Sequence, residues 1–213
     1  MSEPADPDLV AAWLRGRSIA GNLPVPVAES DGWRLETGSE TEVRRYVFAA
    51  PSPAIAELAR TTDRPRVFLK ACVDGNVLSA LLTPAWRVCE PTWMMTGPSA
   101  IDQRPLADGY TATIDRKNGV IAVRITAADG TLAASGYAAE TQGAFVYDRI
   151  IVSPEHQRRG LGGAMMAILG RERRSRDSCP VLVATDQGRA LYLALGWQLH
   201  APYATAVIPD PVA

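Results

Sequence analysis

Residues 145–169 constrain the fold more than any other part of the chain. Residues 145–152 are mostly apolar and rich in β-branched side chains, which predicts a strand. Pro154 ends that strand, because proline cannot donate a hydrogen bond to a neighbouring strand. Beyond it, apolar residues recur at the spacing of a helix, at Leu161, Met165, Ile168 and Leu169. The sequence therefore predicts a strand, a tight turn and a helix in direct succession.

Two arginines and three glycines separate this strand from this helix. We call the segment the amide turn; it consists of Gln157, Arg158, Arg159, Gly160, Leu161, Gly162 and Gly163. Glycine lets a ligand approach the backbone closely, and the free N–H groups and dipole of a helix start favour phosphate. Because the arginines add positive charge, the amide turn is predicted to hold a pyrophosphate.

The spacing in this turn excludes two common nucleotide motifs. It lacks the three glycines of GxGxxG, and no Gly-Lys-Ser/Thr follows as in a P-loop. It fits the pattern Gln/Arg-x-x-Gly-x-Gly/Ala, and here the chain resembles the GNAT acetyltransferase superfamily, whose coenzyme A pyrophosphate lies in that turn. The preceding Val152-x-Pro154-Glu155 is also typical of the family.

A second family pattern lies further along the chain. Residues 181–184 predict a short apolar strand, and strand, helix and strand in this order imply a right-handed parallel crossover. Residues 188–195 then predict a short helix. The run Ala190-Leu191-Tyr192-x-x-x-Gly196-Trp197 is similar to the family's second signature, in which a tyrosine lies one helical turn before Gly-aromatic. The resemblance covers residues 110–208.

The predicted fold class is α/β with a mixed sheet. Residues 111–114, 120–126 and 132–139 predict antiparallel strands, with hairpin turns at Asn118-Gly119 and Asp129-Gly130. The resemblance implies the GNAT acyl-CoA N-acyltransferase fold. Ligands of such sheets bind beyond the carboxyl ends of strands that diverge. Acetyl-CoA is therefore expected in one cleft, between Ile150, Ile151 and Val152 on one side and residues 184–186, ending at Asp186, on the other.

Acyl transfer to an amine sets requirements that particular residues could meet. A lysine-like amine has a pKa near 10.4, so forming its neutral state at pH 7 costs roughly 4–5 kcal/mol, and a base helps. Asp148 on the central strand and Glu140 at the end of the preceding strand are the two candidate bases. A strand N–H near Val152 could stabilise the oxyanion. Tyr192 is the candidate acid for the leaving thiolate, and the amine is expected to attack directly.

The first hundred residues repeat the order of predicted elements found in the second half. Both halves predict strand, helix, strand, helix, tryptophan and strand, which suggests a weak internal repeat. We therefore expect an N-terminal α/β lobe at residues 1–103, a degenerate GNAT-like lobe that could wall the acceptor pocket. A linker at residues 103–107 would join it to a catalytic domain at residues 104–213. The ordinary alternation of strands and helices in α/β proteins explains this similarity equally well.

Composition narrows the remaining classes. A formal net charge of −1 gives no reason to invoke nucleic acid. No apolar run approaches the length of a membrane span, and residues 1–8 lack the features of a signal peptide. Cys72, Cys89 and Cys179 have neither disulfide-framework nor metal spacing, so we expect a reduced, cytoplasmic protein without a metal.

Three alternatives to acetyl transfer stay open. The same turn could serve a non-catalytic acyl-CoA sensor, or a transferase that uses a longer acyl-CoA. It could also hold another nucleotide such as ATP, although no P-loop lysine is present. The acceptor, a small-molecule or peptide amine, and the oligomeric state are not specified by the sequence.

Overall fold

The computed structural model describes residues 4–99 and 104–210. In the N-terminal half the elements are α1 (Pro7–Ala20), β1 (Val27–Glu29), β2 (Gly32–Glu36), β3 (Arg44–Phe48), α2 (Pro53–Thr61), β4 (Val67–Ala71), α3 (Gly75–Ser79), β5 (Arg87–Val88) and β6 (Thr92–Thr96). The C-terminal half contains β7 (Tyr110–Lys117), β8 (Val120–Ala127), β9 (Leu132–Thr141), β10 (Ala144–Val152), a 3₁₀ turn (Pro154–His156), α4 (Leu161–Gly170), β11 (Cys179–Thr185), α5 (Asp186–Ala194) and β12 (Gln198–Val207).

These strands form a single twelve-stranded mixed sheet. Its order is β1-β2-β3-β4-β12-β6-β11-β10-β9-β8-β7, and β5 pairs beside the end of β12. Two pairs are parallel, β3 with β4 and β10 with β11, and each is joined through a helix. The expected mixed α/β architecture is confirmed.

The two halves of the chain exchange strands at the centre of the sheet. Strand β6, from the N-terminal half, lies between β11 and β12. Strand β12, from the C-terminal end, lies between β6 and β4 and pairs Ala204 with Ala71. Each half therefore supplies a strand that extends the other half's part of the sheet.

Helix α1 lies across the strands of the opposite half. Asp6 caps its first turn by accepting a hydrogen bond from the Asp8 amide at 2.9 Å, and Pro7 fits the first helical position. The buried face carries Trp13 and packs against β9 and β10. A Cβ on Gly16 would lie 2.4 Å from Val146 Cγ2, so glycine permits this close approach. Residues near the N-terminus thereby reach the centre of the C-terminal half.

Most predicted elements have counterparts in the structure, with shifted ends. The predicted helix at 188–195 begins two residues earlier, because Thr185 caps it by accepting from the Gly188 amide at 3.2 Å. Strand β1 was not predicted, since its three residues are exposed and carry no alternating pattern. Of the predicted linker, residue 103 lies outside the described residues, and residues 104–107 have no regular secondary structure. The division into two lobes and the repeat between them stay predictions.

Candidate active site

The candidate site begins where two parallel strands separate. Strands β10 and β11 pair over Ala144–Val146 and Cys179–Val181 and no further among the described residues. Beyond that point β10 stays paired with β9, and β11 stays paired with β6. The strand ends therefore open into a cleft, as expected for ligand binding at diverging strands.

A β-bulge shapes the wall of this cleft. On β10, Asp148 pairs with Tyr137 and Ile151 pairs with Ser135, so two residues face Gly136 alone. Arg149, the first of them, has a φ of 50°, a left-handed conformation that costs free energy in a non-glycine residue. Bulges of this kind redirect side chains and free backbone groups from the ladder. Such freed groups are suited to bind a ligand.

The amide turn leaves its backbone donors free. Gly160 is the N-cap of α4 with a φ of 77°, and no side chain caps the helix. The first helical hydrogen bond is from the Ala164 amide to the Gly160 carbonyl, at 3.0 Å. In residues 4–99 and 104–210, no acceptor binds the N–H groups of residues 158–163. The helix start therefore has several donors available for an anion.

The three glycines of the turn have different structural roles. A Cβ on Gly160 would meet nothing within 4 Å, so this glycine serves the left-handed backbone and leaves the turn open. A Cβ on Gly162 would lie 2.9 Å from Leu191 Cδ2, and one on Gly163 would lie 2.9 Å from Arg104 Cδ. These two glycines permit close packing around the helix start. The open, donor-rich turn fits a pyrophosphate.

The two arginines of the turn differ in their partners. Arg158, with a φ of 60°, lines the cleft. Arg159 instead donates through Nη1 to the Tyr110 hydroxyl at 3.0 Å. That hydroxyl also bonds His156 Nδ1 at 3.0 Å. Through this contact His156 holds the turn against β7. Of the two arginines, Arg158 is the one that lines the cleft.

The cleft continues into a cavity of about 720 Å³. The amide turn, the end of β10 and the end of β11 line its outer part, including Gln157, Gly160, Leu161, Ile150, Ile151, Val152, Ala184 and Thr185. Its inner end is lined by Trp13, Arg17, Lys70, Thr92, Tyr203 and Thr205. One continuous space therefore joins the amide turn to residues of the N-terminal half.

Tyr192 lines this cavity from α5. It is 8% exposed, and its ring packs 5.8 Å from that of Trp197. Burial raises the pKa of Tyr192 to about 12, so the phenol stays protonated at physiological pH. A protonated phenol in this position can donate a hydrogen bond to a ligand.

Of the two candidate bases, Asp148 lines the cavity. Its Oδ1 is 3.3 Å from Arg17 Nε, and its Oδ2 is 3.1 Å from Arg149 Nε. Each carboxylate oxygen keeps a second lone pair for a further donor. The arginines therefore position Asp148 without exhausting its acceptors.

Glu140, the other candidate base, is instead hydrogen-bonded to the loop that follows α4. It accepts hydrogen bonds from the Arg174 amide at 3.0 Å, the Ser175 amide at 2.9 Å and the Ser178 hydroxyl at 2.6 Å. Burial acts to raise its pKa, but these hydrogen bonds and nearby Arg173 outweigh burial, so the pKa of Glu140 lies below its usual value. Glu140 thus anchors the loop that follows α4.

Asp186 lies beside the cavity rather than in it. It is the first residue of α5 and is exposed, while its neighbours Thr185 and Gln187 line the cavity. The carboxylate at this helix start interacts favourably with the helix dipole. Asp186 does not line the cavity, and its expected contact with the cofactor stays a prediction.

The sequence analysis did not predict the residues that line the inner end of the cavity. Lys70 is the clearest case, since its side chain is only 12% exposed and its Nζ lies 3.7 Å from Glu42 Oε2. Burial lowers the pKa of Lys70 to about 7, and Arg45 and Arg17 act in the same direction against Glu42. A lysine inside the apolar strand Val-Phe-Leu-Lys-Ala is the one local signal that could have revealed it.

The described residues contain neither a metal-binding cluster nor a membrane-spanning helix. Over residues 4–99 and 104–210, no three His, Cys, Asp or Glu side chains converge as a group that could hold a metal ion. In the same ranges, no helix has the length and apolar character needed to cross a bilayer.

The comparisons with known proteins agree with this geometry. Residues 110–199 match the family model of the acetyltransferase (GNAT) domain, so this part of the chain is similar to a GNAT domain. No curated protein matches the sequence significantly. The match supports acyl transfer as the class of activity.

Solved structures match over nearly the whole chain. A GCN5-related N-acetyltransferase from Kribbella flavida is 15% identical, with a TM-score of 0.67 over 97% of both chains. A putative GNAT-family acetyltransferase from Novosphingobium aromaticivorans is 17% identical, with a TM-score of 0.56 over 92% of this chain and 95% of that one. A conserved protein of unknown function from Staphylococcus epidermidis is 10% identical, with a TM-score of 0.60 over 88% and 94%. At these identities the likeness concerns the fold, and it confirms the expected GNAT fold.

Proposed function

We propose that this protein transfers an acetyl group from acetyl-CoA directly to a primary amine, in the cytoplasm. The observation that carries the proposal is the single cavity joining the amide turn, the diverging strand ends and Tyr192. A pyrophosphate site alone would need only the turn. A continuous space that leads past a protonated phenol to a second, charged end has room for both a thioester and an acceptor.

The outer part of the cavity suits coenzyme A. The free amides of residues 158–163 and the side chain of Arg158 would bind the pyrophosphate. The thioester arm would extend along Ile150, Ile151 and Val152, where the bulge in β10 frees backbone groups. A backbone N–H there would stabilise the oxyanion that forms on the thioester carbonyl.

The inner part suits the amine. Asp148 would accept the proton that the amine loses as its nitrogen attacks, while the new C–N bond replaces the C–S bond. Moving a proton fully from Tyr192, with a pKa of about 12, to a thiolate of ordinary pKa is uphill by about 5 kcal/mol. Tyr192 would therefore stabilise the leaving thiolate as a hydrogen-bond donor, and solvent would complete protonation.

Binding is tested by changing the amide turn. The double substitution Arg158→Glu with Gly160→Asp places two negative charges at the open helix start and should abolish acetyl-CoA binding in calorimetry. Arg124→Glu, at an exposed position on β8, is the control for the charge reversal and should bind normally. Unchanged affinity of the double variant would refute the proposed pyrophosphate site.

Catalysis is tested at Tyr192. Tyr192→Phe keeps the ring packing and removes the donor, so turnover should fall by about 10-fold or more while acetyl-CoA affinity changes little. Tyr46→Phe, outside the cavity lining, is the matched control. An unaltered rate for Tyr192→Phe would remove this tyrosine from the mechanism. Release of free thiol in the presence of amines separates a transferase from a non-catalytic sensor.

A further inference from the structure

The inner end of the cavity contains two groups of charges, each with more cations than anions. In the first, Asp148 lies between Arg17 and Arg149. Arg149 also donates through Nη2 to the Ala20 carbonyl. Within the described residues Arg17 makes side-chain hydrogen bonds through Nε alone. Its two terminal nitrogens are therefore available to a ligand.

The second group surrounds Lys70. Glu42 is paired with Arg45 through Oε1 and lies 3.7 Å from Lys70 Nζ through Oε2. Arg45 Nη1 is buried and has no hydrogen-bond partner among the described residues. The ammonium of Lys70 also has no acceptor within hydrogen-bond range there, and it lies 5.1 Å from the centre of the Phe68 ring. One carboxylate is thus shared by two cations.

An unpartnered hydroxyl lies beside these charges. Tyr203 lines the same end of the cavity, and its ring packs 5.3 Å from that of Trp13. Its hydroxyl is buried, and no described residue accepts or donates a hydrogen bond to it. A buried hydroxyl without a partner costs free energy, which a ligand group could recover.

We propose that the acceptor amine carries a carboxylate, as an amino acid does, and that Arg17 and Lys70 bind this carboxylate while Asp148 faces the amine. This inference rests on the proposed function. The planar fork of an arginine matches a carboxylate in shape and charge, and Lys70 supplies a second donor with no competing hydrogen bond. An amine without an anion would bring a further positive charge to an end that already has one excess cation, and two when Lys70 is charged. Polyamines are therefore disfavoured as acceptors.

The titration of Lys70 agrees with this assignment. With a pKa of about 7, Lys70 is half-charged at neutral pH, and the groups that face it are Glu42, Arg45, Arg17 and Cys89. A bound carboxylate favours the charged form of the lysine. Recognition of the carboxylate should therefore be strongest below pH 7 and should weaken as the pH rises above it.

The experiment compares each common amino acid with its own carboxamide. Purified full-length protein is given acetyl-CoA and one acceptor, and free thiol is measured. The amine of the carboxamide is less basic and more of it is neutral, so intrinsic reactivity opposes the expected result. For at least one side chain, kcat/KM for the amino acid should exceed that for the carboxamide by 10-fold or more. A parallel arm compares phosphoethanolamine with ethanolamine, to separate a carboxylate from a phosphate site.

Two variants test the assigned residues. Arg17→Gln and Lys70→Met should each reduce the preference for the carboxylate at least 5-fold, mainly through KM. Arg15→Gln, on the exposed face of α1, and Lys117→Met, on exposed β7, are the matched controls and should keep it. Because the two variants lie on different elements, one remains informative where the other fails to fold.

The outcomes separate this inference from the proposed function. Equal kcat/KM values for acid and amide, or a preference for the amide, would overturn the inference and leave amine acetylation standing. A preference for phosphoethanolamine over ethanolamine with none for the amino acids would overturn the assignment of a carboxylate. Thiol release at the same rate with and without an amine would overturn the proposed function and this inference with it.

Discussion

Replacing Lys70 by methionine should stabilise the protein. Methionine keeps most of the aliphatic chain and removes a charge from a side chain that is 12% exposed. The pKa of Lys70 falls from 10.5 to about 7 in the folded protein, and at 1.36 kcal/mol for each pH unit this difference corresponds to about 5 kcal/mol. Partial solvation and the loss of Glu42 as a partner reduce that figure. We expect Lys70→Met to raise the free energy of unfolding by about 1–3 kcal/mol.

The stability that Lys70→Met gains over the wild type should decrease as the pH rises. Between about pH 7 and 10.5 the unfolded chain keeps the Lys70 proton that the folded protein has lost. The wild-type protein therefore gains stability from this group as the pH rises through that window. The advantage of Lys70→Met should be full at and below pH 7 and should shrink towards pH 10.

Urea denaturation between pH 6.5 and 9.5 measures both effects. Lys117→Met, an exposed lysine, is the control and should differ little from the wild type at any pH. A Lys70→Met variant that is less stable than the wild type, or whose gain does not change with pH, would refute the view that burial destabilises the charged lysine. The same variant should lose acceptor selectivity, which would make Lys70 a residue kept for function at the expense of stability.

Two further substitutions test the supports of the site. Glu140→Gln should lower the free energy of unfolding by about 1–3 kcal/mol at neutral pH without changing turnover, since Glu140 holds the loop after α4. Because the pKa of Glu140 is lowered, this stability is present above about pH 4.3 and is lost as the pH falls. The free energies of unfolding of the wild type and the variant should therefore become equal in acid. A Glu140→Gln enzyme that is slower but equally stable would contradict this role. Gly136→Val should cost about 1–3 kcal/mol, because a Cβ there would lie 2.7 Å from Ile150 Cδ1, and a wild-type melting temperature would show that the bulge can adapt.

Local sequence patterns predicted the strand, the turn and the helix that form the outer part of the candidate site. Strand, turn and helix follow from residues 145–169, because β-branching, proline and helical spacing act over a few residues. The left-handed backbone of Arg149 could not be predicted, since the bulge depends on how β10 pairs with β9. Arg159 shows the same limit, because its partner Tyr110 is 49 residues away in sequence.

The inner part of the site depends on long-range assembly. Trp13 reaches the cavity because α1 crosses the sheet of the opposite half, and Lys70 reaches it because β4 pairs with β12. No nearby residue signals the placement of Trp13, and the local signal for Lys70 is only that a lysine stands inside an apolar strand. Asp186 shows the limit at a helix end, since the predicted helix at 188–195 begins two residues earlier, with Asp186 as its first residue.

The crossing of β6 and β12 makes the cavity depend on the integrity of the whole molecule. A chain cut between β6 and β7 would give one fragment without β12 and another without β6, so each would expose unpaired strand edges that invite aggregation. Neither fragment could keep the cavity, whose walls come from both. Under the proposed function, variation in the first hundred residues can therefore change the preferred acceptor while the amide turn, far along the chain, stays as it is.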